Sequence, residues 1–161
     1  MSEPWTYFAI AGRPMPPSAL LGLTHRLVPI DQARRGRRNI NGKYRPRVRE
    51  NWRLYQYVVS GSGVAPLAIG GLWPDQIVEV TCGCELWQPA GTDLERDALA
   101  GTLHYLDAAE MPVATEGEAS WKLYIPHFPQ MAVFSIDQTE DADGSGVDWT
   151  VTFEEVEAPD A

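Results

Sequence analysis

Residues 146–156 read GVDWTVTFEEV, and their apolar and polar side chains alternate without a break. Val147, Trp149, Val151 and Phe153 fall on one side, Asp148, Thr150, Thr152 and Glu154 on the other. A period of two suits a half-buried β-strand; on a helix it would scatter the apolar set around the axis. The same period runs through IVEVTCGCELW (77–87), where Val78, Val80, Cys82, Cys84 and Leu86 oppose Glu79, Thr81 and Glu85. In WRLYQYVV (52–59), Arg53, Tyr55, Tyr57 and Val59 share one face and Trp52, Leu54, Gln56 and Val58 the other. TYFAIA (6–11), GLTHRLVPI (22–30), ASWKLYIP (119–126) and MAVFSI (131–136) complete seven short strand candidates. Pro29 lacks a backbone N–H and so confines its strand to a sheet edge.

Thirteen Pro and 14 Gly supply the turns between such strands. The expected fold is therefore mainly β: a single domain over 1–161, an antiparallel β-sandwich or small barrel. One segment breaks the pattern. In TDLERDALAGTLHYLDA (92–108), Thr92 and Glu95 have the spacing of a capping box, and Leu99, Leu103 and Leu106 recur at helical spacing. One short helix is expected there, within an insertion over 92–118. DQTEDADGSG (137–146) is expected as an acidic, mobile hairpin loop, and 157–161 as a flexible tail.

Charge is sharply segregated. Residues 1–53 hold 11 Lys and Arg against Glu3, Asp31 and Glu50, a net +8; residues 54–161 hold Arg96 and Lys122 against 19 acids, a net −17. Such asymmetry points to a basic and an acidic surface on one molecule. The basic excess concentrates in RRGRRNINGKYRPRVRENWR (34–53). Asn41-Gly42 is the preferred centre of a two-residue type I′ hairpin. Its arms offer little to bury, so a projecting hairpin is expected. Arg34, Arg35, Arg37, Arg38, Asn41, Gly42, Lys43, Arg45, Arg47 and Arg49 are its candidate interface residues. A solvated loop, an acidic partner and nucleic acid all suit it. Tyr44 could stack on a base, but 17 net negative charges elsewhere oppose DNA at long range. The acidic partner can be a second copy of this chain, and complementary head-to-tail contacts close into rings.

Chemistry-bearing motifs are sparse. Cys82 and Cys84 are too few for a zinc site by themselves and are expected as reduced, buried thiols; a strained local disulfide or a metal half-site is the alternative. DADGSG (141–146) starts like a calcium loop, but Thr152 stands where the bidentate Glu belongs. The acids at 93, 95, 97, 154, 155 and 157 read as solvated faces, and His25, His104 and His127 are scattered. No G-x-S-x-G, P-loop or G-x-G-x-x-G motif occurs. The expectation is no enzymatic activity, cofactor or metal. No run of 18 apolar residues and no signal-peptide pattern is present, so no membrane insertion is expected.

Three passages, RRNINGKYRPRVRENWRLYQYVVSGSGVAPLAIGGLWPDQIVEVTCGCELW, YIPHFPQMAVFSIDQ and VDWTVTFEEVE, stand in a telling order. A basic N-G segment leads to a strand ending in S-G-S-G and to GLWPDQ before a strand. Y-x-P then precedes a strand with FS, an acidic loop and a closing W-x-x-x-F-E-E. This resembles small structural proteins encoded among the tail genes of long-tailed bacteriophages and prophages. The segment 92–118 departs from that pattern. The resemblance implies a non-enzymatic tube, terminator or tail-tip ring subunit. Its partners would be other copies and neighbouring tail proteins, with DNA passing through. It would be made in the host cytoplasm and reside in the virion. Rival expectations are a β-sandwich carbohydrate- or host-surface-binding module using Trp73, Trp87 or Trp121, and a nucleic-acid-binding protein using 34–53.

Overall fold

The computed structural model describes residues 8–16, 22–30, 37–45, 53–63, 68–144 and 146–156. Among them the chain is mainly β, in antiparallel sheets, with no α-helix. No described helix is long and apolar enough to cross a membrane. The strands are β1 (Ala9–Ile10), β2 (Thr24–Pro29), β3 (Arg37–Arg38), β4 (Tyr44–Arg45), β5 (Tyr55–Gly63) and β6 (Ile77–Thr81). They continue with β7 (Leu86–Pro89), β8 (His104–Leu106), β9 (Pro112–Val113), β10 (Trp121–Tyr124), β11 (His127–Glu140) and β12 (Val147–Glu155). One sheet has the order β1-β6-β11-β12-β5-β2, a second β7-β10-β8-β9, and β3 pairs with β4 alone. The chain groups into two compact units, Met1–Gly12 with Glu79–Pro129, and Arg13–Val78 with Gln130–Ala161.

In the second unit the closing strand behaves as its alternation requires. Val147, Trp149, Val151, Phe153 and Glu155 are buried, and the residues between them are more open. Opposite them on β5, Tyr57 pairs with Phe153 and Val59 with Val151. The Tyr57 and Phe153 rings stack at 6.1 Å. Both are fully buried, so each withdraws one large aromatic surface from water. Glu155, expected on a solvated face, is instead buried on the inward face, and its Oε2 accepts a hydrogen bond from the Tyr55 backbone N–H at 3.0 Å, as a buried polar group requires. β2 forms the outer edge of the sheet, and Pro29 sits there at the end of its ladder.

β11 is longer than the 131–136 expected. Its pairing with β12 shifts between Val133 and Ser135, leaving Phe134 as an extra residue. A bulge of this kind re-aims a side chain, and Phe134 is exposed beside buried Val133. Because the ladder continues to Glu140 opposite Val147, the 137–146 loop shrinks to a turn closed by Asp141 N–H to Gly146 O at 3.0 Å.

In the first unit, Phe8, Ile10, Val80 and Cys82 are buried along the β1–β6 ladder. The expected continuous strand over 77–87 is wrong: it stops at Thr81, bends at Gly83 and restarts at Leu86. At the bend the Cys84 N–H donates to Cys82 Sγ at 3.2 Å. Cys82 is buried and Cys84 half-buried, and both are free thiols.

The expected helix over 92–108 is also absent. Thr92 Oγ1 donates backward to the Pro89 carbonyl at 2.8 Å instead of capping forward. Gly101 takes φ +81°, a left-handed conformation that no helix interior accommodates. Leu106 belongs to β8. The one helical turn in this region is the 3-10 turn Glu116–Glu118.

What 92–102 does instead is cover one face of the four-stranded sheet. Lys122 Nζ donates to the Thr92 carbonyl at 2.8 Å, the Arg96 N–H donates to Tyr124 Oη at 3.3 Å, and the Glu95 N–H donates to Gln88 Oε1 at 3.2 Å. Leu99 N–H donates to the Ile125 carbonyl at 2.8 Å, and the Ile125 N–H donates to Thr102 Oγ1 at 3.2 Å. Polar tethers to a covered sheet face replace the apolar contacts of a helix, which is why the Leu spacing misleads.

Candidate functional site

The basic segment is described in part. Arg34, Arg35, Arg47 and Arg49 lie outside the described residues. A projecting hairpin over the whole of 34–53 is not shown. What is present is a short ladder in the second unit, Arg37 opposite Arg45 and Arg38 opposite Tyr44. Its turn differs from the one expected. The Gly42 N–H donates to the Asn39 carbonyl at 2.9 Å and the Asn39 N–H to the Lys43 carbonyl at 3.0 Å. Ile40 and Asn41 are therefore the central pair, and Gly42 follows at φ +73°. This is the three-residue loop with a left-handed glycine, not a type I′ turn on Asn41-Gly42.

Asn39 organises that loop. Its Oδ1 accepts from the N–H of Lys43 at 2.9 Å and of Asn41 at 3.1 Å. An Asn just before a turn is a readable signal for such side-chain bonds. Arg38 folds back, its Nη1 donating to the Gly42 carbonyl at 2.9 Å. The turn thus presents Ile40, which is 102% exposed, with Asn41, Lys43 and Tyr44 exposed beside it. Ile40 is thus fully solvated, with cationic and aromatic side chains as its exposed neighbours.

The same unit carries acidic groups at the β11–β12 end. Asp137, Glu140, Asp141, Asp143 and Asp148 are all exposed there. Among the described residues no three His, Cys, Asp or Glu side chains gather to hold a metal ion. The described titratable groups with displaced pKa values are scattered. Burial lowers His25, burial raises Tyr124, and a hydrogen bond with the Cys84 side chain together with burial raises the Cys82 thiol. Glu116 is lowered by its ion pair with Lys122.

The three tryptophans of the carbohydrate reading are all exposed, Trp73 by 72%, Trp87 by 50% and Trp121 by 40%. They do not form one group by register. Trp73 sits at a turn of the second unit, where its carbonyl accepts the Gln76 N–H at 3.2 Å. Trp87 and Trp121 lie on neighbouring strands of the first unit, β7 and β10. Comparison of this chain with protein-family models, curated proteins and solved structures finds no match.

Proposed function

We propose that this chain is a non-enzymatic structural subunit of a long-tailed bacteriophage tail, joining other copies and neighbouring tail proteins through complementary basic and acidic surfaces. On this reading it is made in the host cytoplasm, resides in the virion, and folds as a sandwich- or barrel-like β subunit. The observation that carries it is the β3–β4 turn: Ile40 is wholly solvated at the centre of a segment rich in Arg and Lys. The chain elsewhere is strongly acidic, so a second copy supplies the opposite charge. Burying Ile40 supplies the apolar contribution, and the surrounding charges steer and orient the encounter.

The test is size-exclusion chromatography with light scattering on the parent and on Ile40→Asp/Lys43→Glu, with circular dichroism to establish folding. The parent is expected to form an oligomer of defined size and the folded double variant a monomer. A parent that stays monomeric, or a variant that assembles unchanged, overturns the reading. If the parent has a salt-dependent DNA affinity that the variant loses, the nucleic-acid reading replaces it.

A further inference from the structure

The four-stranded sheet of the first unit has two unlike faces. Residues directly opposite in antiparallel strands share a face. Gln88, Lys122 and Tyr105 are in register on one face, with Tyr124 beside them, and this is the face that 92–102 covers. On the other face, Trp87, Leu123 and His104 form one row, and Pro89, Trp121, Leu106 and Pro112 the next. Trp87 and Trp121 are diagonal neighbours on this face, a spacing within reach of large aromatic side chains. Leu106 is buried within its row, while both indoles, His104, Pro89 and Pro112 are exposed.

We propose that this face binds a neutral carbohydrate, two or three sugar rings of a glycan chain stacking across Trp87 and Trp121.

Three features select that occupant. None of the seven residues in the two rows is Asp, Glu, Lys or Arg, so the face offers no partner to a formally charged group. The only Lys and Arg between residues 79 and 129 are Arg96 and Lys122, and both are buried, so there is no exposed Lys or Arg there to hold a phosphate backbone or an anionic headgroup. The face is also small. Four strands and the length of β10 make it about 14 Å by about 10 Å, and its two rows hold seven residues, against about 20–30 residues a side in a standard protein interface.

A sugar ring matches what remains. Its C–H face is apolar enough to lie on an indole, and its equatorial hydroxyls point sideways toward rim donors. The two indole N–H groups are donors, and the His104 ring nitrogens are further hydrogen-bonding groups.

The full chain would be applied to an array of neutral glycans that includes cello-, chito- and malto-oligosaccharides. Affinity for the strongest hit would then be measured by calorimetry. Binding is expected, with Trp87→Ala and Trp121→Ala each weakening it on the order of tenfold or more. Trp73→Ala is expected to leave it unchanged. Both tested indoles are exposed, and circular dichroism would establish that the variants fold. Absence of binding to every glycan overturns the proposal, as does binding that survives both substitutions. A parent oligomer that Trp87→Ala dissociates would mark the face as an interface between copies and overturn it too. The assembly reading stands or falls separately, on Ile40 and Lys43.

Discussion

Gly61 lies directly across from Trp149 in the β5–β12 ladder, and the indole occupies the space that a side chain at 61 would need. A Cβ added to Gly61 would stand 2.6 Å from Cζ2 and 2.7 Å from Cε2 of Trp149. The ring is buried on the inward face of β12 and the contact is with its rigid bicycle, so it cannot swing clear. The absent side chain is what lets an indole lie flat against a strand, a device that offsets the usual weakness of a strand glycine.

Gly61→Ala is therefore expected to destabilise the protein by about 1–3 kcal/mol through overpacking. Gly70→Ala, which meets open space, should stay within about 0.5 kcal/mol of the parent. Urea unfolding followed by tryptophan fluorescence measures both. Equal midpoints for the two variants would mean that the Trp149 ring is free to move.

His25 on β2 and Tyr57 on β5 share a hydrogen bond, Nδ1 to Oη at 2.7 Å, and their rings stack at 6.1 Å. Burial lowers the His25 pKa below its ordinary 6.5. The unfolded chain then takes up a proton at a higher pH than the folded one. Stability contributed here is full above 6.5 and is lost as pH falls from 6.5 toward the folded-state value. The slope this one group adds is at most about 1.4 kcal/mol per pH unit. His25→Gln should flatten the unfolding free energy between pH 7 and 5.5. A variant with the parent's slope would place that pH dependence in another group.

The two thiols should separate in reactivity. Cys82 is buried and its thiol is pushed well above the ordinary range, whereas Cys84 is half-buried at the C-G-C bend. Since the thiolate is the nucleophile, iodoacetamide at pH 8 should label Cys84 before Cys82 in the native protein, on the order of tenfold or more faster. Peptide mass spectrometry reads the order, and denaturant should abolish it. Equal native rates would show that Cys82 is reachable from solvent.

Local pattern determined a good part of this molecule. Strict alternation over 147–154 placed Val147, Trp149, Val151 and Phe153 inside, because one strand has only two sides and one of them must leave water. For 52–59 the alternation separated two faces without saying which is inward, and the fold put Tyr57 and Val59 in the core. Proline without an N–H put Pro29 at an edge. The exposure of Trp87 and Trp121 was an open alternative in the sequence, but their adjacency was not readable there. It depends on the β7–β10 register, which pairs residues far apart in the chain.

Tertiary context decided the rest. Thr92, Glu95 and the Leu spacing satisfy a helix pattern, yet the free energy of a helix that short lies mostly in what covers it. Here Lys122, Tyr124 and Gln88 offer 92–102 hydrogen-bond partners on a sheet face, and the backbone takes those instead. In the same way, alternation through Cys82-Gly83-Cys84 reads as one strand until the chain must turn from one sheet into the next. Asn39 moved the basic turn one residue upstream through two side-chain bonds. Period and turn chemistry act within a few residues and can be read directly. Register, coverage and the choice between competing hydrogen-bond partners depend on residues that only the folded chain brings together.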